Sequence, residues 1–321
     1  MNAILGIDIA KKKFDIALLI NNKISHKVYT NNQNGFSMLS KFLAGKNIDK
    51  VHACLEATGT YGEALATYLH QQGHSVSVVN PTRIKGFAQS NLCRNKTDKV
   101  DAKTIANFCA ALKPEIWQPT PDHIKTLQLL VKRYDQLLDM KQQEANRLSS
   151  LSDNEAAITP MIKETISYLE TQISAITAKI DDFINNNTDL KNKKILLKSI
   201  PGVGKITIHK VLAFIGQPEM FGSVKKIVAF LGLNPKLCQS GSSINRKTRI
   251  SKTGNADLRK AFYFPAIVAM RYNLVIKAFC ARLASNGKAK MLIIGAAMRK
   301  LIHIIYGVLK SNKPFDPSFT F

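Results

Sequence analysis

The chain has 321 residues, enough for two domains of ordinary size, and its 45% apolar and 21% charged composition excludes a disordered tail. The net charge of +24 is lopsided: residues 191–321 carry 24 Lys and Arg against three Asp and Glu, whereas residues 1–190 carry 22 against 19. A field of that size on the C-terminal part attracts phosphate backbones and points to a nucleic-acid partner.

In chain order, residues 3–9 read as a buried strand and 14–20 and 24–30 as two more, joined by short polar turns such as Asn21-Asn22. A helix follows at 35–45, a strand at 51–56, a helix at 61–72 and a strand at 75–80. Pro81 opens another helical segment, and Thr97 is the expected N-cap of a helix over 97–112. This order makes a mixed α/β sheet. Leu127, Leu130, Tyr134 and Leu137, then Ile162, Ile166, Leu169, Ile173, Ile176, Ile180 and Phe183, keep three- and four-residue spacings that predict a helical coiled-coil hairpin over 121–190. Such a seam can close within its own chain or pair with a second copy, and its length favours the second copy. From 191 a basic, mainly helical domain is expected. Its Pro-Gly-Val-Gly turn at 201–204 leads into a helix and suits phosphate binding by free backbone N–H groups. A helix at 222–233, a basic Gly/Ser-rich loop at 234–255, and helices at 256–270, 273–285 and 288–310 complete it.

The five cysteines form no CxxC pair, which excludes a disulfide framework or a zinc site and fits a reducing, cytoplasmic setting. The first residues, MNAILGIDIAKKKFD, do not read as a signal peptide, and no stretch reads as a membrane span.

Four carboxylates fall where this fold can gather them. Asp8 lies in the first strand on the face opposite Ile7 and Ile9, and Glu56 ends the fourth. Asp98 and Asp101 share one face of a helix. Carboxylates so gathered need cations between them, and hard oxygen ligands select Mg²⁺ or Mn²⁺. Two such ions about 4 Å apart suit phosphodiester chemistry. Asp15, at the start of the second strand, is a rival to Asp8 that reads as a surface residue. Lys205, Arg246, Lys247, Arg249, Lys252, Arg259 and Lys260 are the candidate nucleic-acid contacts. Tyr61, Tyr263 and Tyr272 are candidate stacking residues, with core packing the expected role of the last two.

The motifs GIDIAKKKFD (6–15), LEATGTYG (55–62), NPTRIKGFAQS (80–90) and KTDKVDAKTIA (96–106) resemble the N-terminal domain of the transposases of insertion sequence 110 and the related 1111 group. SIPGVG (199–204), FGSVKKIVAFLGLNP (221–235), QSG (239–241) and RISKTGNADLRKAF (249–262) resemble their C-terminal domain. The group includes the pilin-gene DNA invertases. The resemblance implies an α/β plus α architecture: a RuvC-like (RNase H-like) domain over 1–120, the hairpin, and a transposase domain over 191–321. It places an Asp-Glu-Asp-Asp set on Asp8, Glu56, Asp98 and Asp101, and a nucleophilic serine on Ser240. Ser242 and Ser243 stand close enough to leave that register open, and the residues alone favour a plain flexible loop. The resemblance further implies donor and target DNA, a structured non-coding guide RNA and a tetramer built from dimers. Three activities remain open: RNA-guided transposition through a phosphoserine intermediate, site-specific inversion by the same chemistry, and metal-dependent junction cleavage by water.

Overall fold

The first strand turns Leu5, Ile7 and Ile9 to one face of its sheet and Gly6 and Asp8 to the other, and these residues decide what covers each face. The computed structural model describes residues 3–57, 59, 61–91, 97–151, 157–240 and 244–318, with the side chains of 237–247 outside the description. It divides into two units, Met1–Thr120 and Pro121–Phe321. In the first unit β1 (Ala3–Ile9), β2 (Lys13–Ile20) and β3 (Lys23–Thr30) form an antiparallel meander, and β4 (Val51–Glu56) and β5 (Ser75–Val79) add in parallel. The strand order is β3-β2-β1-β4-β5. Asn21 and Asn22, at φ 47° and 63°, supply the two left-handed residues that a tight hairpin between β2 and β3 requires.

Leu5, Ile7 and Ile9 of β1 bury against α1 (Gln33–Ala44) and α2 (Glu63–Gln71) through Phe36, Leu39, Leu65 and Leu69. The helix α3 (Pro81–Ser90) starts at Pro81 behind the N-cap Asn80. The other face of the sheet carries small residues where α4 (Asp98–Leu112) crosses it. Ala17 of β2 packs with Ala102 and Ala106 of α4. A Cβ on Gly6 would stand 2.3 Å from the Ala102 carbonyl oxygen and the Ala106 nitrogen, so helix and strand touch backbone to backbone there. Thr97 caps α4 as expected, accepting from the Val100 N–H.

The second unit begins with the antiparallel pair α5 (Asp122–Ser150) and α6 (Thr159–Asn185), whose apolar seam closes within the chain and carries a Lys141–Glu170 ion pair at 2.7 Å. Ile124, Leu127, Val131, Ile180 and Ile184 at the hairpin base share one core with the helices that follow. These are α7 (Thr188–Lys198), α8 (Lys205–Phe214), α9 (Pro218–Phe221) and α10 (Val224–Phe230), then a strand pair, then α11 (Ala256–Ala261), α12 (Tyr263–Tyr272), α13 (Leu274–Ser285) and α14 (Lys290–Ser311).

Three expectations are corrected. Residues 234–255 are not a loop throughout: β6 (Pro235–Ser240) and β7 (Ile244–Ile250) pair antiparallel. The expected helix over 256–270 breaks at Phe262, because the ring of Pro265 is tolerated only in the first turn of a new helix. Finally, α14 is long and apolar enough to cross a membrane. It is instead the central core helix, burying Ile293, Ala297, Leu301, Ile302, Ile304, Ile305 and Val308.

Candidate active site

Strand register builds the acidic site. Asp8 of β1 pairs directly with Asp15 of β2. On the other side β1 and β4 run parallel with Ile7 opposite Leu55, so one further residue brings Asp8 beside Glu56. Asp15, Asp8 and Glu56 therefore form a row across β2, β1 and β4, on the face that α4 covers. The close approach of α4 at Gly6 sets its first turn, with Asp98 and Asp101, above that row. Burial and the charges of Asp101, Asp98 and Asp15 raise the Asp8 carboxyl to about 6. The three Asp side chains of the expected set are thus electrostatic neighbours. They do not form a closed cage: among the described residues no three His, Cys, Asp or Glu side chains are arranged around one ion position.

Asp98 is turned toward Lys13, whose Nζ lies 2.7 Å from its Oδ2. That pairing holds the exposed Asp98 carboxyl below the ordinary carboxylate range. Asp15 corrects the sequence expectation. It is 5% exposed, a buried carboxylate and not a surface one. Its Oδ1 meets His26 Nε2 at 2.9 Å and its Oδ2 lies 3.4 Å from Lys13 Nζ. The signal that could have found Asp15 is its position between Phe14 and Ile16, both fully buried on the other face, directly across a tight turn from Asp8.

A divalent cation fits this donor set in kind. The oxygens are all carboxylate, no soft ligand intervenes, and burial together with the neighbouring carboxylates disfavours the charged form of Asp8.

In the second unit the strand pair β6–β7 rises from a tight clasp of two loops. A Cβ on Gly254, at φ 145°, would stand 2.4 Å from the Phe230 carbonyl oxygen. Across the clasp the Lys252 N–H donates to Gly232 O at 3.0 Å and the Ser251 N–H to Asn234 O at 2.8 Å. The backbone of Ser240 is the last residue of β6, opposite Ile244. Its side chain lies outside the described residues, as do Gly241, Ser242 and Ser243 and the side chains of Arg246 and Lys247.

Of the other basic candidates, Arg249, Lys252 and Lys260 are exposed. Two are engaged within the fold. Arg259 donates to the carbonyls of Leu231 (3.0 Å) and Lys252 (3.4 Å) and so braces the clasp. Lys205 pairs with Asp181 of the hairpin. Burial alone would raise Asp181, but Lys205, His209 and Lys194 overcome it and hold the carboxyl at about 2. Long cationic side chains find such partners far away in sequence, so periodicity does not reveal them. Tyr272 is 69% exposed, against its expected core role, whereas Tyr263 packs on the core. Beside the clasp, a cleft of about 1040 Å³ is lined by Lys132, Lys210, Arg259, Lys260 and Phe264 among others.

A family profile described as a transposase of the IS110 DEDD type matches residues 5–154, and one described as the transposase IS116/IS110/IS902 family matches 195–281. The pilin gene-inverting protein of Moraxella bovis is 36% identical over 316 residues, covering 97% of both chains. The chain belongs to the IS110 transposase family. The transposase for insertion sequence element IS1111A of Coxiella burnetii is 24% identical over 299 residues, covering 84% of this chain and 78% of that one. A similar match, 23% over 299 residues, covers 84% of the IS1328 transposase of Yersinia enterocolitica. As a member of this transposase and DNA-invertase family, the chain is an enzyme of DNA strand transfer. The first matched segment contains Asp8, Glu56, Asp98 and Asp101, and the second contains the β6–β7 hairpin.

Proposed function

We propose that this transposase is an RNA-guided recombinase of an insertion sequence that cuts and rejoins DNA through Ser240, assisted by Mg²⁺ or Mn²⁺ at Asp8, Glu56, Asp98 and Asp101. The observation that carries the reading is the carboxylate row beneath Asp98 and Asp101, where burial first and then the charges of Asp101, Asp98 and Asp15 push the Asp8 carboxyl up to about 6. A mixed sheet in the order 3-2-1-4-5 with acidic residues on its central strands supports a RuvC-like first unit. A bound cation would neutralise the repelling carboxylates and polarise a phosphate oxygen.

In the strand-transfer step the Ser240 hydroxyl oxygen forms a bond to phosphorus. One phosphorus–oxygen bond to deoxyribose breaks, the hydroxyl gives up its proton, and the departing sugar oxygen takes one up. Attack by a sugar hydroxyl of the partner strand reverses these events and frees Ser240. Arg246, Lys247, Arg249 and Lys252 supply positive charge near the phosphate. The strongly basic second unit grips donor and target DNA and a structured non-coding guide RNA, mainly through phosphates, with its exposed Tyr272 available for stacking; Tyr61 is exposed on the first unit. On the hairpin, Leu129, Met140, Met161 and Tyr168 stay exposed, which supports pairing with a second copy. The assembly proposed is a tetramer of such dimers, acting in the cytoplasm.

Site-specific inversion is the second reading, favoured by 36% identity across the whole length to a pilin gene-inverting protein. The two readings share their chemistry and differ in the flanking DNA. The test uses protein purified from its native locus together with any RNA it retains, acting on a plasmid that carries the flanking DNA. Strand exchange is expected to require a discrete RNA and Mg²⁺, and to fall by roughly 10³-fold in Asp101→Ala. Excision and joining at a new site mark transposition, and reversal of the intervening segment marks inversion. Exchange without RNA overturns guidance. A product that is merely nicked, with no rejoining, overturns recombination in favour of a nuclease.

A further inference from the structure

The acidic row contains one carboxylate too many. Asp15 is buried beside Asp8, yet both of its oxygens are engaged, one by His26 at 2.9 Å and the other by Lys13 at 3.4 Å. Both oxygens are thus turned toward basic side chains of the same sheet. What it does is hold an ammonium group. Lys13 and Asp15 lie two residues apart on β2, so their side chains share a face, and the ammonium spans from Asp15 across to Asp98 at 2.7 Å. The Lys13 side chain is 49% exposed on a flexible stem, so it is free to swing away, whereas Asp15 is fixed in the sheet.

We propose that Lys13 is a built-in counter-cation of the acidic site, seated by Asp15, and that a divalent cation must displace it from Asp98 in order to bind. Asp15 is then a positioning residue: it keeps the ammonium near the cluster in the cation-free protein and retains it after displacement. The consequence is a raised threshold for metal. The apparent affinity is the intrinsic one reduced by the fraction of molecules in which Asp98 is unpaired. This inference rests on the cation reading of Asp8, Glu56, Asp98 and Asp101 given above.

The test is calorimetric titration of the full-length protein with Mn²⁺ alone, with no nucleic acid and no activity readout. Lys13→Met is expected to tighten Mn²⁺ binding by roughly threefold to tenfold. Lys13→Arg, which keeps the cation, stays near the wild-type value. Lys12→Met removes an equal charge from the neighbouring turn and is expected to change affinity much less. On an Asp15→Asn background the gain from Lys13→Met shrinks, because the ammonium has lost its seat. Equal affinities for wild type and Lys13→Met overturn the proposal, as does an equal gain in Lys12→Met, which would reduce the effect to net charge. A full Lys13→Met gain on the Asp15→Asn background overturns the role of Asp15. If neither wild type nor Lys13→Met binds Mn²⁺, the cation reading of the site falls together with this inference.

Discussion

Asp8→Asn is expected to abolish strand transfer and, in metal-free buffer above pH 6, to raise the thermal stability of the protein. The two effects have one cause. Burial first, then the charges of Asp101, Asp98 and Asp15, raise the Asp8 carboxyl from 3.8 to about 6. Between those pH values the folded protein holds a proton that the unfolded chain has released. Stability from this group is therefore present below about pH 4 and is lost as pH rises through 6. A shift of about two pH units corresponds to roughly 3 kcal/mol, and partial exposure of the side chain lowers this to about 2 kcal/mol. Asparagine has the same shape and carries no charge, so it removes the destabilisation at neutral pH together with the carboxylate proposed to hold the cation. Thermal melts at pH 4 and pH 7.5 in EDTA check this. The Asp8→Asn gain should be present at pH 7.5 and absent at pH 4. A melting temperature lowered equally at both values would mean that Asp8 is a structural residue.

The second large effect belongs to a residue with no side chain. Gly6→Val places methyl carbons where α4 touches β1, and the atoms in the way are backbone: the carbonyl oxygen of Ala102 and the nitrogen of Ala106, each 2.3 Å from a Cβ. Backbone cannot rotate aside as a long side chain can, so α4 must lift from the sheet, at a cost of about 3 kcal/mol or more. Lifting α4 carries Asp98 and Asp101 away from Asp8. Stability and strand transfer should therefore fall together, and Ala106→Gly should not rescue them, because the clash is not with a side chain. Urea denaturation of the first unit checks this. An unchanged midpoint in Gly6→Val would contradict the close packing.

Much of this architecture can be read from the residues alone, for identifiable reasons. The apolar run AILGIDI marks a buried strand, and side-chain alternation along it sets Asp8 apart from Ile7 and Ile9. Thr97 before a run of good helix formers marks the start of α4. Asp15 is missed because its burial depends on cross-strand register, which the turn between β1 and β2 sets and which residue type does not reveal. The β6–β7 pair is missed because Pro235, Lys236, Asn245 and Lys247 are of types with weak strand preference. What holds its base is a backbone clasp between Gly232 and residues 252–254, distant in sequence. Lys205 and Arg259 read as free cations, yet their partners, Asp181 and the Leu231 carbonyl, are 24 and 28 residues away.

The acidic row and the serine hairpin meet in one experiment. The transposase is incubated with its flanking DNA, retained RNA and Mg²⁺, denatured to trap intermediates, and digested so that any DNA-linked peptide can be sequenced. The expected result is a phosphodiester link to Ser240 that is lost in Ser240→Ala and in Asp8→Asn and retained in Ser242→Ala and Ser243→Ala. Strand exchange that continues undiminished in Ser240→Ala, or a link to any other residue, would contradict it.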